Sequence, residues 1–184
     1  MRLLGSLVLC AVVMSSPVLL AGSPVTATNV RPQDARLTQL LRAGSERSAT
    51  LRSLVERIEA SRVIVYVAIN PLMKPNLSGM LTWMTQAGGY RYLRASISND
   101  LNADQMIATI AHELQHAVEV IEDETVSDEN SLVALYRRIG QQRGNASPSR
   151  WDTDAAQRTG FTVRKELASA PMTAIARAGA AGRS

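Results

Sequence analysis

The chain has 184 residues, 46% hydrophobic and 20% charged, a composition that suits one compact domain with a sizeable core. Its formal net charge is +4, and the basic residues are scattered rather than gathered in a stripe interleaved with aromatics, which argues against a nucleic-acid surface. One cysteine, Cys10, and two histidines, His112 and His116, bound the metal chemistry open to it.

Met1-Arg2 is a short basic start, and residues 3–14 are apolar and uncharged. Ser15, Ser16 and Pro17 then interrupt the run well short of a membrane-spanning length. This pattern predicts an export signal over residues 1–21, with Ala27 as a later cleavage point, in preference to a retained anchor. The mature protein is then periplasmic or secreted, with no stable membrane span. It also has no cysteine, so it needs no disulfide and cannot hold a metal by thiolate. Residues 22–33, rich in Ser, Thr, Pro and Gly, read as a linker, and the domain is expected over 34–170.

Helical apolar spacing follows over residues 34–41 (Leu37, Leu40, Leu41) and 46–60 (Leu51, Leu54, Val55, Ile58), with Gly44 either breaking or thinning the run. Residues 63–69 are short, β-branched and closed by Asn70-Pro71, the pattern of a buried strand. Residues 80–86 and 90–98 read as two more strands, joined by Ala87-Gly88-Gly89 as a hairpin. In the second of these, Leu93, Ala95 and Ile97 share one face, and Tyr90, Tyr92, Arg94, Ser96 and Ser98 share the other.

The next helix is predicted from near Ala103, with Asn102 as N-cap and Gln105 as its capping-box partner. It contains His112-Glu113-Leu114-Gln115-His116. With His112 at zero, the helical repeat puts His116 near about 40°, Glu113 near about 100° and Glu119 near about −20°. Met106, Ile107, Ile110, Leu114, Ala117, Val118 and Ile121 gather on the opposite side, at about 120° to 240°. Two histidines one turn apart can reach a single metal ion, with the intervening glutamate beside it as general base. Two unrelated surface histidines would match the same five letters, but a core face opposite them favours a cleft.

A catalytic zinc site takes three protein ligands and a water. With no other His and no Cys in the mature chain, the third ligand must be a carboxylate. Glu119 lies on the correct face, although about 10 Å along the axis from His112, so support of a histidine is as open to it as ligation. Glu122 stands where a metzincin has its third ligand, but Glu119 occupies the position of that motif's essential glycine, so the metzincin pattern fails. Ser127 is the expected N-cap of a helix running to Ile139 and stopped by Gly140, with Glu129 in its first turn as another candidate. Residues 141–148 read as a loop, and a last helix opens at Trp151-Asp152-Thr153-Asp154 and runs to about Ala168, before a disordered tail over 171–184.

Here the chain resembles the gluzincins, whose third ligand is a glutamate on a second helix. Asp152-Thr153-Asp154-Ala155 is similar to the E-x-x-A stretch that supplies it in CAAX-prenyl-protease-like and heat-shock membrane proteases. Asp152 stands in place of that Glu, and Ala156 in place of an Asp that supports a histidine. The resemblance covers residues 101–170, and small exported bacterial H-E-x-x-H proteins are similar too. It implies a zincin-like α+β fold with N-terminal helices, a small mostly antiparallel sheet with a hairpin, the H-E-x-x-H helix and C-terminal helices. In such proteases a strand near the metal aligns an extended substrate, a role for residues 90–98 and their neighbour.

The resemblance implies a zinc metallopeptidase acting on a peptide or protein, with Glu113 catalytic and His112 and His116 as ligands. Asp152 ranks first as third ligand, then Asp154, with Glu129 and Glu119 behind. Tyr136, Arg137 and Arg158 are the candidates to stabilise the oxyanion. An inactive zincin-like binding domain and a zinc amidase are the alternatives. A di-iron site is excluded, because no second E-x-x-H can be built.

Overall fold

The computed structural model describes residues 28–142 and 151–170, so the expected leader and tail lie outside the described residues. In chain order the elements are β1 (Val30–Pro32), α1 (Ala35–Arg47), α2 (Ala49–Glu59), β2 (Val63–Asn70), β3 (Gly79–Ala87), β4 (Tyr90–Ser98), α3 (Ala103–Glu122), α4 (Glu129–Ile139), β5 (Gln141–Gln142), β6 (Trp151–Asp152) and α5 (Asp154–Ser169). The architecture is α+β, and among the described residues no helix is long and apolar enough to cross a membrane.

The main sheet has the order β1-β2-β4-β3. Its first two pairings are parallel and only β3 with β4 is antiparallel, which corrects the expected mostly antiparallel sheet. The cause is β1, which lies within the stretch read as linker. A parallel pair needs a long crossover, and α1 and α2 supply it between β1 and β2. The continuous apolar run of β2 is what a strand flanked on both sides by parallel neighbours requires. Val65 lies opposite Leu93 and Val67 opposite Ala95, and all four are fully buried. The hairpin between β3 and β4 turns at Gly88 and Gly89, at φ 57° and 77°, a pair of left-handed positions that glycine adopts without strain. Because β4 pairs on both sides, it has no free edge for a substrate; the edge strands of this sheet are β1 and β3.

The first helical run breaks at Ser48 and not at Gly44. Ser48 is extended (φ −127°, ψ 113°) and its hydroxyl accepts from the Leu51 amide, so it ends α1 and caps α2. Gly44 stays within α1, and its missing side chain lets α1 cross α3 closely there: a Cβ would lie 2.7 Å from Ile107 Cγ2. Two further corrections concern caps. Asp128, rather than Ser127, caps α4, and Ser131 completes the box. Thr153 caps α5, so Trp151 and Asp152 lie ahead of the helix and pair with Gln142 and Gln141.

Helix α5 is fastened at its far end. Arg47 donates to the carbonyls of Leu167 (2.8 Å) and Ala170 (2.6 Å), where a cation suits the helix C-terminus, and also to Asp104 in the first turn of α3. Glu166 accepts from the hydroxyls of Ser48 and Thr50 at the start of α2, where an anion is favoured. These contacts join α1, α2, α3 and α5 around one buried core, and they set where the chain ahead of α5 can lie.

Candidate metal centre

Helix α3 begins with the expected capping box: Asn102 accepts from the Gln105 amide (3.0 Å), and Gln105 accepts from the Asn102 amide (2.9 Å). Its apolar face, from Met106 through Ile110 to Leu114 and Val118, is fully buried. His112 and His116 sit one turn apart with ring centroids 4.9 Å apart, edge to face. The third group arrives from β6. Asp152 Oδ1 lies 3.3 Å from His112 Nε2 and 3.8 Å from His116 Nε2, and one ligand atom from each of the three residues falls within 4.8 Å of the others.

That carboxylate oxygen is buried and makes no hydrogen bond. A buried acceptor without a partner costs about 1–3 kcal/mol, so this atom is costly unless it has a ligand. Tetrahedral bonds of about 2.0–2.2 Å set neighbouring ligand atoms about 3.3 Å apart; the Asp152–His112 spacing matches this, and the 3.8 Å to His116 is wider. The other oxygen, Oδ2, accepts from the Gln157 amide, which orients the carboxylate. Burial alone would raise the Asp152 carboxyl, but His112, Gln157 and His116 outweigh it and hold the group below its usual range. The group that could hold a metal ion is two imidazoles and a carboxylate, with Asp152 ahead of α5 where the resemblance implied a ligand on a helix.

The other carboxylates fall outside the group. Asp154 is exposed in the first turn of α5, 3.4 Å from the Gln141 amide nitrogen, and Glu129 is exposed in the first turn of α4. Glu119 stands behind His116: its Oε2 lies 2.8 Å from His116 Nδ1, and its Oε1 accepts from the Thr153 hydroxyl at 2.5 Å. Burial would lower the His116 pKa, yet Glu119 and the charges of Glu113 and Asp152 carry it above the usual value.

Glu113 lies on the opposite flank, 4% exposed, against β3. The Leu81 amide donates to it, and burial raises its carboxyl above the usual range against the pull of both imidazoles. Gly79 makes this possible, since a Cβ there would lie 2.4 Å from Glu113 Oε1 and 2.7 Å from Thr109 Cγ2. Gly160 on α5 also faces α3, but a Cβ there would meet Ala108 O and His112 Cβ at 3.5 Å, an ordinary contact, so that crossing does not depend on glycine.

The chain matches no protein-family model, no curated protein and no solved structure. Of the three residues expected near an oxyanion, Tyr136 packs edge-on against His116 (5.1 Å between centroids) and donates to the His116 carbonyl (3.2 Å). Burial, then the charges of Glu119 and Glu113, pushes the Tyr136 hydroxyl pKa well above its usual value, so it remains a donor. Arg137 and Arg158 are exposed, in the last turn of α4 and on α5. Two contributors escape the sequence reading, Gly79 and Thr153. Only Thr153 carries a legible signal, the preference of threonine for an N-cap.

Proposed function

We propose that this protein is a zinc-dependent metallopeptidase of zincin type, exported if residues 1–21 act as the leader they resemble. The observation that carries the reading is the unpaired, buried Asp152 Oδ1 facing the Nε2 atoms of both histidines. Two imidazoles and one carboxylate are a donor set that catalytic zinc favours. His112, His116 and Asp152 would hold the zinc ion, which when bound would supply a Lewis acid for the scissile carbonyl and a water of lowered pKa.

Glu113 then has the general-base role. It sits one residue after His112 with a carboxyl that burial raises above its usual range, which makes it a stronger base for taking a proton from water and returning it to the leaving amine. The free edge of β3 runs beside it, linked through the Leu81 amide, and is antiparallel to β4. An extended peptide can pair with such an edge, which brings its carbonyls past Glu113. Tyr136 is the favoured oxyanion donor of the three, once its hydroxyl leaves the His116 carbonyl.

The test is metal content and hydrolysis together. The purified protein is expected to hold about one zinc per chain, to cleave a fluorogenic peptide library, and to lose cleavage with a chelator and regain it with zinc. No bound zinc would end the reading. Bound zinc without cleavage of any peptide would instead favour the binding-domain alternative.

Gly79 gives a second check. Gly79→Ala is expected to keep its zinc while losing about 100-fold in kcat, because the new methyl displaces Glu113 and not the ligands. Unchanged hydrolysis in this variant, measured on the zinc-loaded protein, would contradict Glu113 as the base.

A further inference from the structure

The hydroxyl of Thr153 has one proton and two partners. It accepts from the Ala156 amide at 3.1 Å, which caps α5, and it lies 2.5 Å from Glu119 Oε1. A backbone amide can only donate, so the hydroxyl proton must point to Glu119. Glu119 therefore accepts at Oε1. At its other oxygen, Oε2, it meets His116 Nδ1 at 2.8 Å. All of Glu119, His116 and Thr153 are at most 6% exposed, so water does not compete for these bonds.

We infer that Thr153 and Glu119 are positioning residues that hold His116 as the Nδ1–H tautomer and turn its Nε2 lone pair toward Asp152. The inference rests on the metal reading of the site, because the nitrogen it frees is the one that would bind the ion. A carboxylate accepting from Thr153 at one oxygen accepts from Nδ1–H at the other, and the neutral ring then has no proton on Nε2. Such outer partners fix the tautomer of histidine ligands in metal sites generally. In the membrane-protease motif an Asp on the second helix supports a histidine; here that position is Ala156, and the support comes from α3 itself. Because Thr153 follows Asp152 directly and also caps α5, one residue links the third ligand, the helix and the tautomer of the second ligand.

The arrangement makes a counter-intuitive expectation for Glu119→Gln. With Thr153 donating, the amide must present its carbonyl to the hydroxyl and its NH2 group to His116. Nδ1 then accepts, the ring proton moves to Nε2, and the metal-facing lone pair is lost. Zinc affinity, read by competition with a chelator, is expected to fall by about 10–100-fold. Adding Thr153→Val removes the donor and frees the amide to turn, so the double variant is expected to bind zinc more tightly than Glu119→Gln alone. A purely structural role predicts the reverse, with two losses accumulating.

Ring-nitrogen NMR of metal-free protein gives a readout that needs neither zinc nor activity. At a pH high enough for the ring to be neutral, wild type should show His116 protonated at Nδ1, Glu119→Gln at Nε2, and the double variant a return of the Nδ1 form. A neutral wild-type ring protonated at Nε2 would overturn the inference without any variant having to fold. So would a double variant that binds no better than Glu119→Gln. Wild type that holds no zinc but shows the Nδ1–H ring would instead defeat the peptidase reading and leave the hydrogen-bond assignment standing.

Discussion

Glu113→Gln is expected to keep about one zinc per chain and to lose about 10²–10⁴-fold in kcat for peptide hydrolysis, the usual contribution of a positioned general base. The substitution preserves volume, so the gap left by Gly79 is filled as before and the Leu81 amide still finds an acceptor. None of the three ligand groups is touched. What disappears is the capacity to take a proton. The informative comparison is kcat against zinc content on the same preparation, and a variant as fast as wild type would remove Glu113 from the mechanism.

Asp152→Ala should fail differently, at the metal and not at the proton. Losing a supporting partner of a metal ligand costs about 10–100-fold in affinity, so losing a ligand should cost more than about 100-fold. The metal-free protein should tolerate the change, because two effects oppose: removal of Oδ1, a buried oxygen without a hydrogen bond, relieves a desolvation cost, while the bond from Gln157 to Oδ2 and the attraction of the imidazoles are lost. Chelator competition and thermal unfolding of the metal-free protein should therefore diverge: zinc affinity collapses, while Tm stays within a few degrees, the shift expected for a change of about 1 kcal/mol or less. Asp154→Asn is the control, since that exposed side chain lies outside the ligand group and should leave zinc affinity unchanged. Zinc retained by Asp152→Ala and lost by Asp154→Asn would reverse the assignment.

The two expectations separate a chemical step from a binding step, and the fold explains why they can be separated. Glu113 faces β3 and Asp152 arrives ahead of α5, on opposite flanks of α3. On the proposed reading, substitutions on the β3 side should act on the base, and those on the α5 side on the metal. Gly79→Ala and Glu119→Gln probe one flank each.

Much of this site was legible because it is local. The angular positions of His112, Glu113 and His116 follow from the helical repeat alone, and the apolar positions between Met106 and Val118 required the rest of α3 to be core. The capping box at Asn102 and the Gly88-Gly89 turn were equally readable, since both are satisfied by bonds or dihedrals a few residues apart. The make-up of the group that could hold an ion, two imidazoles and a carboxylate, was expected by elimination, there being two histidines and no cysteine beyond residue 10.

The identity of the third carboxylate was not local, and periodicity could not reach it. Asp152, Asp154, Glu129 and Glu119 are all acidic residues on or beside helices, and their ranking depended on where α5 docks. That docking is set by Arg47 binding the carbonyls at the end of α5 and by Glu166 binding the start of α2, contacts between residues more than a hundred positions apart. Strand β1 was hidden for the same reason. Three residues carry no periodicity, and only pairing with β2 makes them a strand and turns the sheet mostly parallel. Sequence patterns therefore specified the helix that presents the histidines and the glutamate, because its hydrogen bonds close within four residues. Folding chose Asp152 from among the carboxylates, because only long-range packing brings a buried, unpaired oxygen within 4 Å of both rings.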